Sequence, residues 1–295
     1  MTIKYSVIIP HKNSVQLLAR CLGSIPQRED VEVIVVDDNS AVSSVEWEDF
    51  RTKYPYARLF LTHEGKGAGY ARNVGLGHAQ GEWLIFSDAD DYFYPGSFNV
   101  IDKFVTANDA DITYFLCDSR DGETGELIPD RVPNIRRGIE RKELDLLRYR
   151  SYIPCGKVIR RELVETHHIR FEEIEVSNDI MFSTLVGYYV QKVGIIDTAL
   201  YCITKNKNSL FFGLDSRRAK IRIEAAVRVN DFLYQKGIKH RYYPHNYTFF
   251  FFPNHPLEFI KAVYKCHYKG QTKKYIKEVW RGIRREWKRL HRTNG

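Results

Sequence analysis

Three short apolar runs, Tyr5–Pro10, Val31–Val36 and Trp83–Phe86, stop abruptly on polar residues, and segments of helical period separate them. The runs are rich in β-branched and aromatic residues, so they read as strands buried on both faces. Strand and helix alternating through short links build βαβ units. The expected fold class is therefore α/β, a mainly parallel sheet flanked by helices. Such sheets bind ligands just outside the carboxyl ends of their strands. His11, Asp37, Asp38, Asp88, Asp90 and Asp91 all follow strand ends directly. Three separate segments thus deliver polar side chains to one rim, although His11 itself acquires no specific role.

The links fit the same scheme. Asn13 or Ser14 is placed to cap a helix bearing Leu17, Leu18, Cys21, Leu22 and Ile25. A helix at Val45–Tyr54 and a strand at Arg58–Leu61 follow. Gly65, Gly67 and Gly69 then precede a helix with Ala71, Val74, Leu76 and Ala79. Downstream, Pro95–Val105 reads as helix, Ile112–Cys117 as strand and Asp118–Gly138 as loop. Helices are expected at Arg141–Tyr149, Glu162–His167 and Asp179–Tyr189, the last capped by Ser177 or Asn178. Strands are expected near Val193–Ile196 and Leu200–Ile203.

The run Leu84–Tyr92 carries an apolar strand straight into Asp88, Asp90 and Asp91. Grouped carboxylates repel one another unless a cation or a set of donors neutralises them. A divalent cation with oxygen ligands does so, and such a cation bridges a diphosphate naturally. The alternative is an acidic loop after a buried strand.

Charge divides the chain. Residues 1–214 carry 25 Lys and Arg against 31 Asp and Glu, a net −6, whereas residues 215–295 carry 20 against 6, a net +14. A basic, aromatic, helical C-terminal region is thus expected at 215–295, behind a mildly acidic body. Within it, Gln271–Arg292 sets Ile276, Val279, Trp280, Ile283, Trp287 and Leu290 on one helical face and eight Lys and Arg on the other. That pattern suits an anionic membrane surface. The same tryptophan face suits packing on the catalytic body or on a second subunit, as in a homo-oligomer. Nucleic acid is not expected, because no recognised binding motif accompanies the charge. The five cysteines include no Cys-x-x-Cys pair, which argues against zinc, and they are expected to be reduced core residues. No run approaches the roughly 20 apolar residues of a membrane span, and no signal peptide is evident. A cytoplasmic protein, peripheral at the inner face of the cell membrane, is expected.

Four blocks now carry a resemblance: Ser6–Pro10, Val33–Ser40, Gly69–Gly81 and Phe86–Asp91. In order and spacing they are similar to glycosyltransferase family 2, the inverting sugar transferases of GT-A (Rossmann-like) fold. A weaker fifth block, Gly156–Ser183, resembles the acceptor half of bacterial capsule and O-antigen transferases. The resemblance implies a catalytic domain at 1–214, with a nucleotide-binding half at 1–105 and an acceptor half at 106–214. It implies nucleotide contacts from Pro10, Asp38, Arg72 and Asp88, with Asp38 accepting from the base. Asp90, with Asp88, would hold Mn²⁺ or Mg²⁺ as the family's Asp-x-Asp. Asp179 maps to the base that takes the acceptor proton, although Asn178 stands where the family often has Glu. Each has a plainer reading: Asp37 and Asp38 as turn caps, Arg72 in a surface salt bridge, Asp179 as a helix-start acid. Lys157, Arg160 and Arg161 suit phosphate, acceptor or a solvated helix edge equally.

The implied function is non-processive transfer of a hexosyl or N-acetylhexosaminyl group from a nucleotide-sugar, UDP-linked by expectation, to a glycan or lipid-linked glycan hydroxyl. The rival is a non-catalytic sugar-nucleotide-binding subunit that recruits a partner transferase to the membrane.

Overall fold

The computed structural model describes residues 2–206, 215–240, 242, 245–252, 254–265, 277 and 280–284, and the chain divides into two units, Met1–Ser209 and Leu210–Gly295. The first unit begins β1 (Tyr5–His11), α1 (Val15–Gly23), β2 (Val31–Asp38), α2 (Ser44–Lys53), β3 (Ala57–Thr62), α3 (Ala68–His78) and β4 (Trp83–Phe86). Every residue of β1, β2 and β4 is buried, as central strands covered on both faces must be. It continues with β5 (Tyr92–Phe93), α4 (Ser97–Ala107), β6 (Ile112–Asp121), α5 (Pro133–Glu140), α6 (Leu144–Arg150), β7 (Lys157–Arg160), α7 (Arg161–Thr166), α8 (Asp179–Tyr189) and β8 (Val193–Lys205).

One eight-stranded sheet results, in the order β3-β2-β1-β4-β7-β6-β8-β5. The first four strands of that order are mutually parallel. β7 runs antiparallel to β4 and β6, while β6 and β8 are parallel. This is the mixed, mainly parallel α/β sheet expected. The reversal at β7 positions chemistry: its first residue, Lys157, lies toward the C-terminal end of β4, and its last, Arg160, pairs with Trp83 at the opposite end.

Several local expectations give way to tertiary context. The stretch 118–138 is not all loop. β6 runs on to Asp121 because β8 continues beside it to Lys205, and α5 starts at Pro133 and buries Ile135 and Ile139. The two strands expected between 193 and 203 are one strand, with register irregularities opposite Phe115–Cys117. Lys157–Arg160 is a buried strand rather than a solvated helix edge. Arg160 lies over Trp83 and pairs with Glu82, and Arg161 bonds the carbonyl of Gly81. Both are therefore spent on the far edge, away from the rim. Neither expected cap forms as a side-chain cap: Ser14 and Asn178 occupy the N-cap positions without cap bonds, Asn178 because its oxygen serves Arg72. Cys21, Cys117, Cys155 and Cys202 are buried free thiols.

The second unit holds α9 (Ser216–Gln235), α10 (His245–Phe249) and α11 (Pro256–Lys265). Ala219, Ile223, Phe251 and Ala262 form its small core, joined by Phe259, Val263 and Ile283. The other face of α11 presents Leu257, Ile260 and Tyr264 at 72%, 62% and 81% exposure. The expected helix Gln271–Arg292 falls largely outside the described residues; within it Trp280 is exposed and Ile283 joins the core.

Candidate active site

The rim is assembled from strand ends. At the end of β2, Asp37 turns inward. Its carboxylate accepts from His11 Nδ1 at 2.8 Å, from the Ser40 amide at 2.9 Å and from the Ser40 hydroxyl. His11 Nε2 accepts the Ser14 amide at 3.0 Å, so the ring's proton sits on Nδ1, facing Asp37. Burial pushes the Asp37 carboxyl up, but these bonds outweigh it and hold the group below its ordinary value. Asp37 is thus the turn cap. Asp38 bonds Lys12 Nζ at 3.2 Å and the Gly67 amide at the head of α3 at 3.0 Å. Pro10, buried near the end of β1, pairs with Val36 beyond the reach of β4, so its missing N–H costs no ladder bond to that strand.

Helix α3 joins the two halves of the unit. Gly75 lies against Ile8 and Val36 of the sheet. Gly69, Arg72 and Asn73, at i, i+3 and i+4, share a face directed at residues 171–178. A Cβ on Gly69 would stand 2.2 Å from the Glu172 carbonyl oxygen, and Asn73 exchanges bonds with the backbone of Phe171. Arg72 is 6% exposed, packs over the Phe171 ring and donates to Asp88 at 2.6 Å and to Asn178 at 2.9 Å. It is a buried bridge rather than a surface salt bridge. Its Nε is buried without a hydrogen-bond partner among the described residues.

After β4 the three aspartates diverge. Asp88, the most open, has a side chain 41% exposed. Asp90 is partly buried; its carboxylate accepts from Asn206 at 2.8 Å, and its carbonyl from Thr204 and Arg20. Asp91 is 3% exposed and is committed to the sheet, accepting from the Tyr201 hydroxyl and the Thr204 amide. Burial, then repulsion from Asp88, raises the Asp90 carboxyl; burial, then Asp90 and Asp88, raises Asp91 well above its ordinary value. Oxygens of Asp88 and Asp91 and the Cys155 thiol lie within 4.8 Å of one another. That trio does not suit a hard cation, because burial keeps the thiol protonated and Asp91 already serves Tyr201 and Thr204. Asp88 and Asp90 fit better: both are oxygen donors, both are accessible, and their repulsion is what a cation would relieve.

Asp179 begins α8, beside the Asn178 held by Arg72. Burial raises its carboxyl, and Arg72 counters part of that rise. The structure therefore gathers Arg72, Asp88 and the 178–179 turn around one guanidinium, with Asp90 on the same loop as Asp88. Asp38 shares none of these bonds. The supporting residues that carry no signal in the sequence pattern are Tyr201, Thr204 and Asn206 at the end of β8; for Lys157, at the start of β7, the sequence pattern does not signal its burial. Only the strand order, with β7 reversed, brings them to this rim.

Residues 6–167, more than half of the chain, match the family model described as glycosyl transferase family 2. An uncharacterised glycosyltransferase of Escherichia coli, YibD, is 29% identical over 65% of the chain and 60% of its own length. The poly(ribitol-phosphate) β-N-acetylglucosaminyltransferase TarS of Staphylococcus aureus is 27% identical over 70% of the chain, which spans only 36% of TarS. The crystal structure of TarS residues 1–349 in complex with UDP-GlcNAc superposes with a TM-score of 0.68 at 18% identity, over 89% of this chain and 81% of that one. The sheet and its helices are thus those of the GT-A fold.

Proposed function

The chain belongs to glycosyl transferase family 2, and from that premise we propose that it is an inverting, non-processive transferase. It moves one hexosyl or N-acetylhexosaminyl group from a nucleotide-sugar, UDP-linked, to a hydroxyl of a cell-surface polysaccharide or lipid-linked glycan. The observation that carries this reading is the Arg72 bridge, which joins the donor-side acid Asp88 to the turn that presents Asp179. TarS, whose name records N-acetylglucosamine transfer to poly(ribitol phosphate), supports both the donor class and a polymeric acceptor.

Each residue then has a chemical task. Asp38 accepts the single N–H on the pairing edge of uracil. Arg72, whose guanidinium pairs with Asp88, supplies positive charge beside the diphosphate. Asp88 and Asp90 would hold Mn²⁺ or Mg²⁺, which supplies positive charge to the departing diphosphate. Asp179 removes the acceptor hydroxyl proton as that oxygen bonds the anomeric carbon and the bond from that carbon to the diphosphate oxygen breaks. Its raised carboxyl makes it a stronger base than an ordinary aspartate.

The test is turnover of a panel of UDP-, GDP- and dTDP-sugars with Mn²⁺, scored as transfer or slow donor hydrolysis. Asp179→Asn is expected to lose about 10²–10⁴-fold in transfer while still binding donor, the range for a general base. Full activity in that variant would remove the assigned base, and donor binding without any turnover would favour the non-catalytic recruiting subunit.

A lipid-linked acceptor is met at a membrane. No described helix is long and apolar enough to cross one. The net +14 of residues 215–295 and the Leu257–Ile260–Tyr264 stripe suit peripheral contact with an anionic inner leaflet. Flotation with phosphatidylglycerol vesicles should recover the chain and lose the variant with serine at all three positions; equal recovery would refute the contact.

A further inference from the structure

Lys157 is the largest charged side chain among those less than 2% exposed, at 1%. An ammonium this deep is costly to keep unless it is paired and hydrogen-bonded. Its Nζ donates to the Ser151 carbonyl at 2.7 Å and to Ser183 Oγ at 3.1 Å, and it lies 5.5 Å from the centre of the Tyr114 ring. Ser183 in turn donates to the Tyr152 carbonyl at 2.5 Å, so that hydroxyl is fixed in place. Ser183 stands four residues after Asp179 on α8, hence on the same helical face and about 6 Å along the axis. The strand reversal supplies the other coordinate, since Lys157 opens β7 at the rim end of the sheet.

We propose that Lys157 is a positioning residue of the transfer reaction: its ammonium, anchored on the face of α8 that carries Asp179, keeps that aspartate ionised and able to take the acceptor proton. The inference rests on the reading of Asp179 as the base. The groups that bear on Asp179 are Arg72 from α3, Asp88 after β4 and Lys157 from β7. Those that bear on Lys157 are Asp179 of α8, Cys155 ahead of β7 and Cys117 of β6, with the Tyr114 ring beside it. Burial alone would drive Asp179 toward its neutral, useless form, and Arg72 is already engaged by Asp88 and Asn178. Lys157 is the second cation that acts on it. Burial pulls the Lys157 amine down to about 7, against the upward pull of Asp179.

The experiment reads Asp179 directly. In protein labelled with ¹³C at the aspartate carboxyls, the signal lost in Asp179→Asn is followed against pH in the unaltered chain, Lys157→Met, Lys157→Gln and Ser183→Ala. Loss of a nearby opposite charge shifts a carboxyl by about one to three units. Lys157 acts on Asp179 more weakly than Arg72 does, so the midpoint is expected to rise by up to about one unit in both Lys157 variants, and by less in Ser183→Ala, which keeps the charge but loses its anchor on α8. A merely structural lysine would lower the melting temperature and leave the midpoint alone, and an unmoved midpoint overturns the proposal. Should neither Lys157 variant fold, the unaltered chain decides: the Asp179 signal must show a second inflection near pH 7 as Lys157 loses its proton, and a single inflection overturns the proposal. Full transfer activity in Asp179→Asn would instead overturn the assigned base, leaving the linkage itself intact.

Discussion

At the end of β2, two aspartates meet the ring of His11, the Ser40 amide and hydroxyl, Lys12 and the head of α3. After β4, the carboxylates of three aspartates accept from one guanidinium and a few neutral donors. The consequences are opposite in sign. The Asp37 carboxyl is held below its ordinary value, whereas Asp90 and Asp91 are raised. One strand end is electrostatically complete and the other is short of positive charge. The comparison supports the proposed cation site: burial and mutual repulsion raise the carboxyls of the loop after β4, and a cation at Asp88 and Asp90 would relieve both.

The sharpest way to break this comparison is to remove one acid from each side. Asp90→Ala should lower turnover by about 10²–10³-fold, the scale for losing one electrostatic stabiliser, while leaving the melting temperature level or higher. Asp37→Ala should do the reverse, costing about 1–3 kcal/mol of stability because His11 and Ser40 lose their acceptor. Initial rates and thermal melts on both variants decide; equal loss of stability would erase the distinction.

Metal and pH sharpen it next. A carboxyl held low contributes stability that is present above its unfolded pKa and lost as pH falls through its folded value; Asp37 is of this kind. Raised carboxyls act oppositely: the contribution of Asp90 and Asp91 is present below about 4 and lost as pH rises through their folded values. A cation at Asp88 and Asp90 competes with those protons. Mn²⁺ at about 100 times its Kd should therefore stabilise by about 2.7 kcal/mol at pH 7.5, and by visibly less at pH 5. A chelator should reverse the gain, and Asp90→Ala should abolish it.

The smallest effect concerns the loop's support. Asn206→Ala removes the amide that orients Asp90 and should weaken Mn²⁺ binding about tenfold with little change in melting temperature. Unchanged metal affinity would show that Asp90 needs no such support.

The parts legible in sequence are those governed by local pattern. Fully apolar runs announce buried strands, and the residues after them announce a rim, so Asp37, Asp88 and Asp90 are readable from the chain alone. The burial of Lys157 is not, because nothing in Gly156–Arg161 signals a reversed strand, and a basic cluster there suits phosphate, acceptor or a solvated helix edge equally. Asn178 stands out in sequence as a candidate helix cap and a departure from a family pattern, yet its side chain is what couples Arg72 to the start of α8. Tyr201 and Thr204 sit in an ordinary strand pattern; their bonds to Asp91 exist because β8 ends beside β4's loop, a fact of sheet order rather than of spacing. The extension of β6 and the formation of α5 escape the local pattern for the same reason, since polar segments become regular when a neighbour offers a ladder or an apolar shelf.

The contact of α3 with residues 171–178 has a consequence for how this molecule can diverge. With hydrogen rather than methyl at position 69, the helix backbone closes onto the Glu172 carbonyl, and Asn73 stitches the same stretch on both edges. That seam fixes one half against the other like a keyed joint. Loops on either side are free to drift and acquire new preferences, but an extra carbon at the key would pry the halves apart and misalign whatever they grip.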